Sequence, residues 1–248
     1  MINIQEQFTR LDELGVEYAF YFRPAAGEPI HSANRVHFHS ASLIKVPILL
    51  AWLRLEGLGE VSREEIGDLD SEPEVKGAGF SWLLKGRKIP FHDALLMMIT
   101  LSDNLCTNLV IQRVGLEKLN RVIREDLGLF GCRLERKLFD YEARARGLDN
   151  WITAEDCVRL YDLIEQLPRA ERLWVESLLE VNQDDGLFKR SIPRDTITFY
   201  HKTGSLPNVI HDWGFTSSSR LFLLTHGVVD EPATFEVFGE LGKLLIEP

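Results

Sequence analysis

Strand-like segments stand at both ends of this 248-residue sequence, and helical patterns fill the long interval between them. Near the N-terminus, VEYAFYF (Val16 to Phe22) is aromatic and β-branched, and turn residues separate it from a second predicted strand near HSANRVHF. Two strands alone form at best a marginally stable sheet in water. The opening pair therefore needs partner strands from a distant part of the chain.

The partner strands are predicted close to the C-terminus. The segments TITFYHKTG, VIHDWGFTS and RLFLLTHGVV are short, β-branched or aromatic, and separated by turn residues. Apolar residues recur with helical spacing between Ser62 and Leu179, and the tail PATFEVFGELGKLLIEP (Pro232 to Pro248) returns to a helical pattern. We expect an α+β fold in which one five-stranded antiparallel sheet joins both ends of the sequence and is flanked by helices.

This layout predicts a single domain, residues 1–248, made of two lobes. Residues 1–60 together with 190–248 would form an α/β lobe, and residues 61–189 would form an all-helical lobe. A chain of 248 residues is long enough to bury the core that such an arrangement needs. A cleft between the two lobes is the expected place for a small-molecule site.

The charge of the chain bears on its partners and location. A formal net charge of -10 disfavours nucleic acid and anionic membranes, because both would be repelled by the mean field of the protein. The opening residues MINIQEQFTRLDELG lack the basic and apolar segments of a secretory signal. No apolar run reaches the roughly 20 residues of a membrane span. These features predict a cytoplasmic protein that binds neither nucleic acid nor membrane.

The cysteines and histidines do not indicate a metal or cofactor site. Cys106, Cys132 and Cys157 are odd in number and lack C-x-x-C spacing, so we expect reduced, packed thiols. The histidines are scattered, and we expect His201 and His211 to be surface or packing residues rather than ligands. Because the sequence also lacks a Gly-rich phosphate loop, we predict no metal, nucleotide or organic cofactor.

Three short polar motifs lie along this layout: S-x-x-K at 42–45, S-D-N at 102–104 and K-T-G at 202–204. At typical residue frequencies of about 6%, about one S-x-x-K is expected by chance in such a chain, whereas each fixed tripeptide has an expectation of only a few per cent. The joint presence of all three in this order is therefore unlike a chance result.

The first motif lies at the start of a predicted helix. The apolar residues from Ile44 to Leu58 predict this helix, with Ser40 as a candidate N-cap and with an irregular first turn at Pro47. Residues three apart share one helical face, so Lys45 can reach the hydroxyl of Ser42. If Lys45 is also desolvated and close to Lys202, its pKa falls and its neutral amine can accept the serine proton.

The three motifs together resemble the active-site signature of class A β-lactamases and the penicillin-recognising serine enzymes. The resemblance covers most of the chain and implies acyl transfer to Ser42 with Lys45 as the base. It implies that Ser102 relays a proton to the leaving nitrogen and that Asn104 holds a substrate side-chain carbonyl. The implied substrate-binding residues on the late strand are Lys202 and Thr203, which would bind a carboxylate, with Gly204 and with Ser205, whose N–H would join that of Ser42 in an oxyanion hole.

The resemblance has one gap. Class A β-lactamases carry a glutamate, within an E-x-x-L-N pattern, that primes the water for deacylation, and the corresponding region from Glu135 to Asp156 lacks this pattern. The nearest carboxylates are Asp140 and Glu142. We take Glu142 as the candidate catalytic carboxylate, although it is equally placed to pair with neighbouring arginines.

The implied function is a serine hydrolase of the class A β-lactamase type, which opens the β-lactam amide through an acyl-serine intermediate. Because no deacylating glutamate is recognisable, two alternatives stay open. One is an intracellular serine esterase or D-alanyl peptidase-like hydrolase with the same nucleophile, and the other is a homologue that binds its ligand without turnover. In each case the expected partner is a small carboxylate-bearing molecule, either a β-lactam or a peptide-like compound.

Overall fold

The computed structural model describes residues 2–246, so Met1 and the last two residues of the predicted terminal helix, Glu247 and Pro248, lie outside the described residues. The strands are β1 Glu17–Arg23, β2 Ile30–Ala33, β3 His37–His39, β4 Ile66–Asp68, β5 Lys88–Pro90, β6 Arg133–Leu134, β7 Asn150–Thr153, β8 Tyr200–Leu206, β9 Val209–Phe215 and β10 Arg220–His226. The α-helices are α1 Ile4–Glu13, α2 Lys45–Gly57, α3 Phe91–Thr100, α4 Asn104–Val114, α5 Leu116–Arg121, α6 Tyr141–Ala145, α7 Ala154–Glu165, α8 Arg169–Glu180 and α9 Glu231–Gly242.

The early and late strands form one five-stranded sheet in the order β2-β1-β10-β9-β8. Strand β1 pairs antiparallel with β10 along its whole length, from Glu17 opposite His226 to Arg23 opposite Arg220. All neighbouring strands of this sheet are antiparallel. The predicted α+β fold with its five-stranded antiparallel sheet is therefore confirmed, and β8, which carries the K-T-G motif, lies at the sheet edge.

Both faces of the sheet are buried. Successive strand residues point to opposite sides, and each side packs against its own hydrophobic core. On one face, Phe20 and Leu223 pack with residues of α1 and α9, including Phe238. On the other face, Ala19 and Phe222 join the large core that continues through α2 into the helical lobe. Helix α1 was not predicted from the sequence, although Asn3 caps it by accepting a hydrogen bond from the Glu6 N–H at 3.2 Å.

Helix α2 is the central helix of the protein, and nearly all of its residues are buried. It begins after a 3₁₀ turn, Ala41–Ile44, so the predicted irregular start is observed. Pro47 is the third residue of the helix, where its missing N–H costs no helical hydrogen bond. Ser40 is the N-cap residue of the 3₁₀ turn, since its backbone carbonyl accepts from the Leu43 N–H at 3.0 Å, but its hydroxyl makes no capping hydrogen bond and the N-cap residue of α2 itself is Ile44.

The predicted all-helical lobe is not entirely helical. Strands β4 to β7 lie within residues 61–189, where β4 pairs with β5, while β7 pairs with β6 and with β3 from outside that range. These strands have two to four residues, too few to show an alternating pattern in the sequence. The three-stranded sheet positions the start of the site, because β7 pairs with β3 and its Asn150 carbonyl accepts from the Ser40 N–H, two residues before Ser42.

The remaining predictions on single residues concern packing. Cys106, Cys132 and Cys157 are free and buried, which confirms that they are packing residues. His201 and His211 are likewise fully buried rather than on the surface. Within residues 2–246, the helices are all too short or too polar to cross a membrane.

Candidate active site

A cleft of about 540 Å³ is lined by residues of all three polar motifs. Its walls are formed by residues 41–42, 77–80, 100–102, Asn104, Arg136, 138–139, 149–150, 182–184 and 203–206. Ser42, Ser102, Asn104, Thr203, Gly204 and Ser205 line this cleft, whereas Lys45 and Lys202 are fully buried behind its wall. The fold therefore brings together residues that lie as far apart in the sequence as 42 and 205.

The turn that carries Ser42 is held in an unusual backbone conformation. Ala41, directly before the serine, has a φ of 46°, in the left-handed region that costs energy for any residue with a side chain. The neighbouring Ser40 N–H donates to the Asn150 carbonyl of β7 at 2.9 Å. This tertiary hydrogen bond helps to keep the strained turn in place and fixes the position of the nucleophile.

A buried histidine supports the same turn from the sheet. His211 Nε2 lies 2.8 Å from the His39 carbonyl, and the Thr225 N–H donates to His211 Nδ1 at 3.1 Å. Burial lowers the pKa of His211 to about 4, so its ring is neutral at neutral pH. A neutral ring with Nε2 as donor and Nδ1 as acceptor satisfies these two contacts, although it gives no proton to the Ile210 carbonyl, which lies 2.8 Å from Nδ1. His211 thus links β9 and β10 to the segment that enters the 41–44 turn.

Lys45 is the centre of the polar arrangement. Its Nζ lies 3.0 Å from Ser42 Oγ, 3.0 Å from Ser102 Oγ and 3.0 Å from Asn104 Oδ1, and it also donates to the Ser102 carbonyl at 2.6 Å. A neutral amine can donate to the carbonyl and the amide oxygen while its lone pair accepts the proton of a hydroxyl. The site is therefore built to use Lys45 in either protonation state.

The surroundings of Lys45 favour its neutral form. Complete burial lowers the pKa of Lys45 well below its ordinary value, and the positive charge of Lys202 lowers it further against the opposing effect of Asp103. Burial also lowers the pKa of Lys202, to about 8, while Asp184 and Asp212 oppose that shift. Burial and the charge of Lys202 thus both act to make the Lys45 amine a base.

Within the S-D-N motif, Asp103 binds backbone N–H groups, whereas Ser102 and Asn104 contact Lys45. Asp103 is buried, and its carboxylate accepts from the N–H groups of Phe80, Ser81 and Cys106 at 2.8–3.0 Å. The Cys106 N–H belongs to the first turn of α4, so Asp103 caps this helix with its side chain. Asp103 also fixes the 77–81 loop, which forms one wall of the cleft, and leaves its neighbours Ser102 and Asn104 free to face Lys45.

The K-T-G motif lies directly against the 41–44 turn that carries Ser42. A Cβ atom at Gly204 would stand 3.0 Å from the backbone nitrogen of Ser42 and 3.1 Å from that of Leu43. A side chain at this position would therefore push β8 away from the turn, which explains why the motif ends in glycine. Strand β8 is the edge strand of the sheet. Ser205, the next residue on β8, lines the same cleft as Ser42.

The loop from 136 to 149 closes the floor of the cleft, and a buried ion pair joins its two ends. Arg136 donates to Asp149 Oδ1 through Nη2 at 2.6 Å and Nε at 2.9 Å, and the side chains are 8% and 9% exposed. Asn150 reinforces this closure, since its side chain accepts from the Arg136 N–H at 3.1 Å and donates to the Arg136 carbonyl at 3.1 Å. These contacts were not predicted from the sequence, because they join residues that form no recognisable motif.

Within this loop, an apolar residue faces the cleft. Leu138 lines the cavity, and Asn108 of α4 holds its backbone by accepting from the Leu138 N–H at 2.8 Å and donating to its carbonyl at 3.0 Å. Glu142, in contrast, is exposed on α6 and is not a cleft residue. The short helix buries Ala143 and turns its neighbour Glu142 to solvent. The assignment of Glu142 to the catalytic set is corrected accordingly, since the structure does not bring it to Ser42.

Several solved structures share this architecture. A β-lactamase from Sphaerobacter thermophilus DSM 20745 is 24% identical with a TM-score of 0.85, over 97% of this chain and 94% of that one. An ancestral (GNCA) class A β-lactamase is 21% identical with a TM-score of 0.83, over 98% and 99% of the two chains. PBP-A is 21% identical with a TM-score of 0.81, over 97% and 94%, and a mutant of PBP-A has been solved as an acyl-enzyme complex with penicillin-G. The fold is therefore that of the class A β-lactamases and PBP-A.

The sequence itself gives the family. The profile described as the β-lactamase enzyme family matches residues 5–247, and the chain belongs to this family. The resemblance predicted from the three motifs is thereby confirmed. Comparison with curated protein sequences gives no significant match.

The buried ion pair at the base of the 136–149 loop leads to a stability prediction. We expect Arg136→Met to lower the free energy of unfolding by about 3 kcal/mol, because it leaves the Asp149 carboxylate buried without its main partner. The double variant Arg136→Met/Asp149→Leu should lose less than the single variant. The measurement is urea denaturation followed by circular dichroism.

The matched control is the surface pair of Arg54 and Asp126, whose side chains are 52% and 31% exposed. Arg54→Met should cost less than about 1 kcal/mol, as is usual for exposed pairs. Equal losses for Arg54→Met and Arg136→Met would show that burial of the Arg136 pair has no special effect on stability.

Proposed function

We propose that the protein is a serine acyl-transfer enzyme in which Ser42 attacks the amide carbonyl of a β-lactam or a D-alanyl peptide-like substrate. The observation that carries the proposal is the 3.0 Å contact between the Ser42 hydroxyl and the fully buried amine of Lys45. A serine hydroxyl needs such a base, because it is a weak nucleophile at neutral pH.

In the proposed acylation step, the neutral Lys45 amine takes the proton of Ser42 as Oγ bonds to the carbonyl carbon. The resulting oxyanion would receive hydrogen bonds from the backbone N–H groups of Ser42 and Ser205. The carbon–nitrogen bond then breaks, and the leaving nitrogen takes a proton from the Ser102 hydroxyl. Ser102 regains this proton from the Lys45 ammonium, whose Nζ lies 3.0 Å from its Oγ. The product is an ester on Ser42, and the leaving nitrogen has become a neutral amine with the proton that Ser102 donated.

Hydrolysis of that ester is proposed as the slow step. Release requires a water molecule and a base that activates it. The two carboxylates that line the cleft already have partners, because Asp149 is bound to Arg136 and Asp184 accepts from Thr203. Between the two ends of the loop, Leu138 and Phe139 line the cleft, and neither can accept a proton. A long-lived acyl-enzyme is the expected result with β-lactams, as opposed to rapid hydrolysis.

The lack of an unpaired carboxylate among the described residues that line the cleft argues against rapid β-lactam hydrolysis. A D-alanyl peptidase-like or esterase activity would use the same nucleophile and would need the same activation of water to release its ester. A homologue that binds without reaction is disfavoured by the intact contact between Ser42 and Lys45. The cytoplasmic location remains a prediction from the sequence.

The acylation step predicts a covalent adduct. Incubation with benzylpenicillin should add the mass of one intact drug molecule to the protein, as measured by intact-mass spectrometry, with the adduct on Ser42 after proteolysis. Lys45→Met should slow adduct formation at least about 100-fold, because a positioned general base commonly contributes that much. Ser42→Ala is the control and should form no adduct. Labelling of Lys45→Met at the wild-type rate would remove Lys45 from the role of base.

If release of the acyl group is slow for lack of a base, a carboxylate placed in the cleft should speed hydrolysis of the acyl-enzyme. We expect Leu138→Glu to speed loss of the benzylpenicilloyl adduct by at least about tenfold, since a general base would then face the ester. The measurement is the decay of the adduct mass after removal of free drug. Leu138→Gln, which has nearly the same shape without the charge, is the control. If both variants release the adduct equally fast, base catalysis from position 138 is excluded.

A further inference from the structure

The end of the cleft beside the K-T-G motif contains an acidic side chain that no motif predicted. Asp184 lies in the loop between α8 and β8 and lines the cleft, and its Oδ2 accepts the hydrogen bond of the Thr203 hydroxyl at 2.8 Å. Thr203 is the residue expected from the family resemblance to bind a substrate carboxylate. A carboxylate of the protein already takes this hydrogen bond.

The loop that presents Asp184 is anchored on both sides. The Asp184 N–H donates to Asn182 Oδ1 at 3.0 Å, and the buried Asn182 side chain donates to the His201 carbonyl of β8 at 3.0 Å. The Gln183 N–H donates to the Thr100 carbonyl at the end of α3, also at 3.0 Å. The backbone of the loop is thus tied to both lobes, which keeps the carboxylate at the end of the cleft.

The charges near Asp184 are balanced before any substrate arrives. Among the described residues that line the cleft, the charged ones are Arg136, Asp149 and Asp184, and the first two neutralise each other. Lys202 precedes Thr203 on β8 and is fully buried, with Asp184 and Asp212 both acting on it, while Asp212 also pairs with His201 at 3.1 Å. The described lining at this end of the cleft therefore presents the negative side chain of Asp184 and no positive one.

Hydrogen-bonding capacity leads to the same result. An ionised carboxylate can only accept hydrogen bonds, and the single proton of the Thr203 hydroxyl is already directed at Asp184. A substrate carboxylate placed here would meet a second acceptor of the same charge, and like-charge contacts of this kind are a common means of rejecting a ligand. A primary carboxamide differs, because its NH₂ group can donate to Asp184 while its oxygen accepts.

We propose that Asp184 is a specificity-determining residue, and that the site selects acyl substrates with an uncharged hydrogen-bond donor, such as a primary carboxamide, where related enzymes would take a carboxylate. This inference rests on the proposed function, because it concerns the substrate group that lies next to the bond attacked by Ser42. The preferred substrates are then peptide-like amides whose terminal carboxyl group is amidated.

The test measures binding without chemistry, in the full-length chain carrying Ser42→Ala. The probes are N-acetyl-D-alanyl-D-alaninamide and N-acetyl-D-alanyl-D-alanine, which differ only in the terminal group. We expect the amide to bind at least about tenfold more tightly than the acid, measured as Kd by NMR titration. Adding Asp184→Asn should reduce this ratio to about one or reverse it, because asparagine keeps the size and the acceptor for Thr203 but removes the charge.

Asp185→Asn is the matched control. Asp185 is the adjacent residue, lies outside the cleft lining and binds Lys189 at 2.7 Å, so its loss changes the net charge by the same amount. The ratio of the two Kd values should stay at its parent level. An equal change with Asp185→Asn would overturn the proposal, because the general field of the loop would then account for the preference.

Three further results would also overturn it: tighter or equal binding of the acid when Asp184 is present, a ratio that Asp184→Asn leaves unchanged, and no binding of either probe to either chain. The proposed acylation is tested separately by the benzylpenicillin adduct. Because benzylpenicillin itself carries a carboxylate, the inference predicts that the adduct forms slowly in the wild-type chain and faster in Asp184→Asn. Absence of the adduct in both chains would reject acyl transfer by Ser42, whereas the charge preference is measured in a chain without this hydroxyl and is judged on its own result.

Discussion

The arrangement of the site depends on one interaction, the contact between a lysine amine in the protein interior and a serine hydroxyl. An ammonium ion is costly to bury, and Lys45 is fully buried beside a second lysine, Lys202. This cost becomes useful once the amine gives up its proton, because a neutral amine 3.0 Å from Ser42 Oγ can act as a base. The largely buried helix α2, the strained turn before it and the edge strand β8 are the elements that keep the three groups together.

The same cleft limits what can follow acylation. The carboxylates at its wall are engaged, Asp149 in the ion pair that closes the 136–149 loop and Asp184 on the hydroxyl of Thr203. Leu138 and Phe139 of that loop line the cavity, and Asp184 acts on the charge of Lys202. The slow release of an acyl group and the selection against anionic substrates that we propose both rest on one feature: the acidic side chains that line the cleft already have partners within the protein.

Local spacing made part of this structure predictable. The five-stranded sheet followed from strand patterns at both ends of the chain, and the contact of Ser42 with Lys45 follows from their separation by three residues on one helical face. The role of Glu142 could not be judged in the same way, because a short helix in an irregular loop decides which side chain faces inward. Asp184 was missed for a related reason, since its meaning depends on a tertiary hydrogen bond that leaves no pattern in the sequence. The short strands of the helical lobe likewise gave no periodic signal.

The central claim, a neutral Lys45 amine at the nucleophile, can be tested most directly by NMR titration of the lysine side chains with isotope-labelled protein. The Lys45→Met variant identifies the signal of Lys45, and exposed lysines in the same spectrum serve as internal references. The account predicts that the pKa of Lys45 lies well below that of the exposed lysines, because burial and the charge of Lys202 both disfavour its ammonium form. A Lys45 signal that titrates together with the exposed lysines would contradict it.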